Sequence, residues 1–372
     1  MLFITLSNLW TFSIFAPFTY TIFWMSILFY CLPTLTNKIA LINTKTKSLF
    51  VQINTSDVIL LMLTPLMILF VLLCMWALPA TSAWFGHIIF TSYQLKITFL
   101  LSISFFSVFF SLLISSYFTS REIYDYVIVL FNFFYWIILL FNSNSILTTI
   151  FIIEVISAII FLLIVTSTFS SVYFYRNLNF TFGNLFQNST PYTFLQSLIY
   201  YFWISLISAL NLFLFILLLY IKIHSLDWFT IEHVFNYLTL TTSYKNLCSV
   251  GLVWFILLLS IFIKSGIAPL YLYKPTFFKG LPFYTLCFYI CFFYFSFFLF
   301  VIHLLNSYFA EIFYFYSVIM TILVLLGLIT LLFIICDSYY IKIFLAISSI
   351  LNSLFVFLAL TSLHSQTLTM WI

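Results

Sequence analysis

The sequence predicts an all-α protein that crosses a membrane many times, and three observations carry that expectation. Of its 372 residues, 65% are hydrophobic and only 5% are charged, whereas a water-soluble domain needs about a quarter charged to coat its surface. The apolar runs last about twenty residues or more, the length a helix needs to cross a hydrocarbon core. They lack the alternation over about ten residues that marks a transmembrane barrel. Helices and closed barrels are the structures that satisfy every backbone polar group in lipid, so helices are expected throughout.

Taken in order, ten spans are expected, at about 9–32, 57–79, 95–118, 123–142, 146–168, 194–221, 248–273, 282–304, 312–335 and 341–362. The first follows MLFITLSN, with no Arg/Ser-rich amphipathic presequence and no cleavable segment, so it reads as permanent. The segment 80–94 is apolar but short and is expected at the interface. The fourth span follows the charged run REIYD, and the polar turn NSNS separates it from the fifth. NTKTKS and TTSYKN are similar short linkers; the longest connections are 169–193 and 222–247. No soluble domain fits anywhere.

Lysine and arginine placement agrees with this count. Alternate loops carry Lys38, Lys45, Lys47, Arg121, Arg176, Lys274, Lys279 and Lys342 on one side, against Lys96, Lys222 and Lys245 on the other. The basic side faces the matrix or cytoplasm, and both termini lie on the opposite side. A net charge of +4, scattered along the chain, gives no reason to expect nucleic-acid binding. Residue usage adds a point of origin. With 52 Phe and 25 Tyr but only 6 Gly and 8 Pro, the chain uses residues of AT-rich codons. That points to an AT-rich organellar genome.

Two ionisable residues fall within spans, where a charge costs at least about 2.5 kcal/mol. Glu154 lies in ILTTIFIIEVISAIIFLLIV and Lys264 in VGLVWFILLLSIFIKSGIAPLYLY. They are expected to pair, as a fixed tie between helices or as part of an ion path. Gly266 and Pro269 follow Lys264. A proline inside a span removes a helix hydrogen bond, and freed carbonyls at that depth need protein or water partners. A broken helix beside a buried charge is a device of ion-coupled transporters; an ordinary proline kink is the plainer reading. Opposite charges about 4 Å apart attract by roughly 4 kcal/mol at an effective dielectric of about 20. Separating such a pair by a few ångströms would turn a proton holder into a proton donor without any redox group.

These residues also carry a resemblance. Over roughly 95–362 the chain resembles the antiporter-like, proton-pumping subunits of NADH–ubiquinone oxidoreductase (complex I), and within them the chain 2 family, called subunit N in bacteria. REIYDYVIVLF and NSNSILTTIFIIEVISAIIFLL resemble the family's fourth and fifth helices, with Glu154 and Ser157 in place. SLIYYFWISLISALNLFLFILLLYI resembles the sixth. FIKSGIAPLYLYKPTFFKGLP resembles its most recognisable motif, matched by Lys264, Ala268, Pro269, Pro275, Gly280 and Pro282. In LLGLITLLFIICDSYYIKIFLAISSI, Lys342, Ala346, Ser348, Ser349 and Ile350 match the ninth and tenth helices.

The resemblance implies an antiporter-like fold. An N-terminal three-helix segment (1–122) precedes a complete first five-helix repeat (123–304) and a partial second repeat (305–372). It implies that Glu154 and Lys264, with the break at Pro269, form the carboxylate–lysine pair of a proton half-channel. It implies no cofactor in this chain, since FMN, iron–sulfur clusters and ubiquinone belong to other subunits. The partners it implies are other membrane-arm subunits, membrane lipids, and either a separate chain carrying the remaining helices of the second repeat or none, those helices having been lost.

The departures define the alternatives. Tyr200, Tyr271 and Tyr294 stand where the family usually has a lysine, a histidine and a further lysine. A structural subunit of the same complex that no longer pumps is therefore one rival. A sibling antiporter-like subunit or a free-standing cation/proton antiporter is another, and a lipid-embedded assembly factor a third; the last has no need of Glu154 and Lys264 on facing helices. Other polar residues read as ordinary. Cys287 and Cys291 are buried small hydrophobes rather than a metal pair. Lys274 and Lys279 are loop charges that set topology or meet anionic lipid. His303 and Glu311 are interfacial, Asp337 and Lys342 a local ion pair, and His224, Asp227, Glu232 and His233 a solvated loop rather than a metal site.

Overall fold

The computed structural model describes residues 81–83, 86–114, 120–177, 191–240, 244–267, 269–309, 313, 316–335 and 340–361. The expected spans 9–32 and 57–79 lie outside the described residues, as do Lys38, Lys45, Lys47, Ala268, Glu311 and Asp337. The rest is almost entirely helical, and the chain is a polytopic α-helical membrane protein. Among the described residues, five helical stretches are long and apolar enough to cross a membrane: Ile146–Ser167, Phe194–Ile223, Thr285–Leu305, Ser317–Ile335 and Ile341–Leu360. Gln94–Phe106, Val129–Asn142 and Val250–Ser265 are shorter apolar helical stretches.

The chain divides into two compact units, Met1–Asn144 with Leu162–Asn179, and Ser145–Phe161 with Phe180–Ile372. In the first, strands β1 (Thr81–Ala83) and β2 (Ile88–Phe90) pair antiparallel. The expected interfacial segment is thus a hairpin followed by a helix start. Helix α1 (Ser92–Ile114) opens on a reciprocal cap. The Gln94 N–H donates to Thr91 Oγ1 at 3.3 Å, and the Thr91 N–H donates to Gln94 Oε1 at 3.1 Å, so two otherwise orphaned donors are satisfied. Helix α2 (Ser120–Asn142) packs on α1 through aromatic rings, with Phe105 stacked on Phe134 at 4.4 Å. Just after α2, the Asn144 N–H donates to the His87 carbonyl at 2.8 Å and its Nδ2 to the Gly86 carbonyl at 3.0 Å, tying the helix end to the hairpin.

Helix α3 (Ile146–Asn177) begins in the second unit and ends in the first. Ser145 precedes it and accepts the Thr148 N–H at 3.4 Å, as an N-cap serine does. In the second unit, α4 (Pro191–Ile223) starts on a proline, which fits a first turn that needs no N–H. It stops at His224, whose φ of 58° is left-handed and whose N–H donates to the Tyr220 carbonyl at 2.9 Å. The connection 222–247 is not a plain loop, because it contains helix α5 (Trp228–Leu240) carrying Glu232 and His233.

Helix α6 spans Tyr244–Ser265 and a short helix, α7, spans Tyr273–Gly280. The span expected at 248–273 therefore ends eight residues early, and the chain is broken before Pro269. After the extended Pro282 comes one continuous rod: α8 (Phe283–Phe288), a π-helical turn (Tyr289–Tyr294) and α9 (Phe295–Ser307). Helices α10 (Ser317–Ile335) and α11 (Ile341–Thr361) close the unit. Helix α4 packs on α6 and α7, α7 also on α11, and α10 on α11. The rod is the core: most of its residues are buried, whereas most of those of α4 and α10 are not. The outer faces of α4 and α10, with Phe202, Trp203, Phe213 and Phe333 exposed, suit lipid or neighbouring subunits.

Candidate functional site

All the geometry below lies in the second unit. Glu154 sits two turns into α3 and Lys264 in the last turn of α6. Lys264 Nζ donates to Glu154 Oε1 at 2.7 Å, and the two side chains are 5% and 28% exposed. The Ile153 carbonyl lies 3.5 Å from the same ammonium. The hydroxyl of Ser157, one turn after Glu154, lies 2.7 Å from the Glu154 carbonyl and 3.3 Å from Oε2, positioned to donate to either. The carboxylate is thus anchored on its own helix while its other oxygen takes the ammonium. Lys264 gains further support from its place at a helix C-terminus, where the backbone dipoles present partial negative charge.

The helix break begins immediately after Lys264. Gly266 has φ +62°, which a side chain rarely adopts. Pro269 has no N–H and so leaves the carbonyl four residues earlier, on Ser265, without its helical donor. Protein side chains fill the gaps. The Tyr273 hydroxyl lies 2.9 Å from the Ile263 carbonyl and 3.1 Å from that of Lys264, positioned to donate to either. Lys274 Nζ donates to the Ser265 carbonyl at 3.3 Å. Gly266 makes this possible. A methyl group there would come within 2.9 Å of the Tyr273 hydroxyl and 3.1 Å of Lys274 Cδ. Pro269 itself is exposed; its part is to prevent the helix from re-forming.

Two cavities meet Lys264. One of about 30 Å³ is walled mainly by Ile, Leu and Phe, with Thr149 and Ser260 as further polar residues; it has room for about two waters. The other, of about 10 Å³, is lined by Tyr201, Ile204, Ser205, Lys264, Tyr273 and Phe293. That is about the minimum for one water, and its walls carry the several polar groups a water needs.

Several sequence expectations change here. Tyr200 is exposed on α4, and its neighbour Tyr201 is the buried one, with its hydroxyl donating to the Ser157 carbonyl at 3.2 Å and its ring stacked on Phe277. Tyr271 is buried. Tyr294 closes the π-helical turn, its hydroxyl donating to the Ser349 carbonyl at 3.3 Å. Lys274, expected as a loop charge, is 1% exposed, and its ammonium lies 3.6 Å from the centre of the Tyr294 ring. Lys279 stays nearer the surface, over the Tyr340 ring at 5.0 Å. Lys342 donates to the Leu281 carbonyl at 2.7 Å, steadying the start of the central rod. Cys291, expected to be buried, is exposed, and Cys287 is partly so. Sequence reading missed Tyr201, Tyr273 and Lys274. The one available signal was the proline, which marks Ser265 as a carbonyl in need of a donor.

No protein-family profile matches this sequence, and no curated protein does. Solved structures do match. One is a chain of respiratory complex I from Thermus thermophilus with bound aureothin, at TM-score 0.60 and 16% identity, covering 91% of this chain and 64% of that one. Another is a chain of the membrane-bound sulfane sulfur reductase, an archaeal respiratory membrane complex, at TM-score 0.62 and 12% identity, covering 92% and 64%. The chain thus spans just under two thirds of the length of these neighbours. At these identities the likeness establishes the fold: a polytopic helical architecture shared with chains of respiratory membrane complexes.

Proposed function

We propose that this chain is an antiporter-like membrane-arm subunit of a respiratory NADH:ubiquinone oxidoreductase, of the chain 2 type, and that it contributes to proton translocation. The observation that carries the reading is the pair of buried Lys264 with half-buried Glu154 at 2.7 Å, set against a helix break. The likeness in fold to a complex I chain supports the setting. In this reading Lys264 holds a proton while Glu154 is close, and releases it when the pair separates. Ser157 fixes the carboxylate, so the movable element is the last turn of α6, hinged at Gly266. The chain carries no redox group of its own. Electron transfer in other subunits supplies the driving force, and the setting is the mitochondrial inner membrane. The repeat boundaries at 123–304 and 305–372 belong to the same reading.

A second reading is a structural subunit of the same complex without a pumping role. It is favoured by the apolar walls of the larger cavity and by Tyr294 within a run of packed aromatics, with Phe298 6.0 Å away. Both readings place the chain in the complex, and that is tested by isolation through an affinity tag on this chain. NADH:ubiquinone reductase activity is expected to co-purify in a stoichiometric assembly. Recovery of the intact chain in a complex without that activity would overturn the assignment. Mass spectrometry of the same preparation reads whether a companion chain brings further helices of the second repeat.

A further inference from the structure

Among the described residues, Lys274 is the most unusual group that the reading above leaves unused. It is 1% exposed, on the short helix α7 that follows the break. Among the described residues no carboxylate pairs with it. Its ammonium meets the Ser265 carbonyl at 3.3 Å, the face of the Tyr294 ring at 3.6 Å and the Phe278 ring at 5.8 Å. A lysine kept only as a topology signal would lie in water or among headgroups. A lysine kept only for packing would be replaced without loss by an apolar residue of the same length, because burying an unpaired charge is costly.

The site suits a group that alternates between two protonation states. A carbonyl and an aromatic face stabilise the ammonium. The surrounding burial equally suits the neutral amine, which carries no charge to desolvate. Among the described residues Lys264 is paired with a carboxylate and Lys274 is not, so the two lysines stand in different environments on either side of one break. They are also physically linked. Tyr273 lines the small cavity with Lys264, and both its hydroxyl and the Lys274 side chain converge on the bare backbone of Gly266.

We infer that Lys274 is the second protonatable station of this subunit, receiving protons from Lys264 across the helix break. The inference rests on the proton-translocation reading. In the step, an N–H bond of the Lys264 ammonium breaks and its proton passes, through a water in the small cavity that both residues line, to the Tyr273 hydroxyl, which turns away from the carbonyls it meets in this structure. That hydroxyl gives up its own proton to the neutral Lys274 amine across the backbone of Gly266, and a new N–H bond forms there. The positive charge moves from Lys264 to Lys274, the tyrosine is restored neutral, and the Glu154 carboxylate is left to draw the next proton onto Lys264. On Lys274 the charge comes to rest against Tyr294, in the central rod.

The test is proton pumping by the assembled complex in sealed vesicles, read with a pH-sensitive dye while NADH oxidation is followed in the same sample. Three variants are compared with wild type: Lys264→Met, Lys274→Met and Lys274→Arg. Arginine keeps the length, the positive charge and the contact with Tyr294, but it does not release its proton. All three are expected to assemble with the redox centres present and to lose the same number of pumped protons per NADH oxidised, because stations in series fail together. Lys274→Arg is decisive, since a lysine that merely caps Ser265 is replaced by arginine without effect. It also reads the proposal should Lys274→Met fail to assemble. If Lys264→Met lowers pumping and Lys274→Arg pumps like wild type, the inference is overturned and the translocation reading stands. If Lys264→Met leaves pumping intact, the reading beneath the inference fails first.

Discussion

Replacing either member of the Glu154–Lys264 pair by an apolar residue is predicted to destabilise the chain, and replacing both is predicted to restore most of the loss. At the observed 2.7 Å separation, the Coulomb attraction is about 6 kcal/mol at an effective dielectric of about 20. Most of that offsets the desolvation of the two charges. The net cost of breaking a buried pair is therefore about 3–5 kcal/mol, while swapping the whole pair for apolar residues is often close to neutral. The structure also predicts an asymmetry. Among the described residues Lys264, 5% exposed, has a carbonyl at 3.5 Å as its further acceptor, whereas Glu154 is 28% exposed and keeps Ser157. Glu154→Leu, which strands the lysine, should sit near the upper end of the range. Lys264→Met, which strands the more exposed carboxylate, should sit at or below the lower end. The assay is unfolding of the purified chain in mixed micelles, followed by circular dichroism. The double variant Glu154→Leu/Lys264→Met should lie within about 1 kcal/mol of wild type. Single variants that each cost under about 0.5 kcal/mol and add in the double would refute the pairing.

Two further predictions concern the break. Gly266→Ala places a side chain at φ +62° and within 3.1 Å of Lys274 Cδ; the left-handed conformation alone costs about 1–2 kcal/mol, and the yield of assembled complex should fall in step. Tyr273→Phe removes the hydroxyl positioned to donate to the Ile263 or the Lys264 carbonyl. It should cost about 1–3 kcal/mol in the same unfolding assay and should lower pumping in the vesicle assay; a variant matching wild type in both would show the break is held by other groups.

The spans were legible in the sequence because lipid leaves few alternatives. A twenty-residue apolar run with polar ends is a helix, and the structure moves its boundaries by only a few residues from 95 to 168 and from 194 to 221. Glu154 and Lys264 were legible for the same reason: a charge in an apolar run stands out, and 2.7 Å is what two such charges in one unit would be expected to find. Lys274 was not legible. In sequence it follows a proline and a glycine and precedes another lysine, like any basic loop residue. What draws it inward is the carbonyl of Ser265, and that need arises only once the backbone turns at Gly266. The choice between Tyr200 and Tyr201 was equally hidden. Adjacent helical residues differ by about 100° in direction, and only the packing of α4 decides which faces Ser157. The hairpin at 81–90 and helix α5 lie in short segments whose apolar content fits more than one structure.

The central claim is that the Glu154–Lys264 pair moves protons, and the most direct measurement is the proton-to-NADH ratio of the assembled complex carrying Lys264→Ala. The account predicts a lower ratio than wild type, with the redox centres and NADH oxidation retained. A ratio equal to that of wild type, in a complex shown to contain the variant chain, would contradict it.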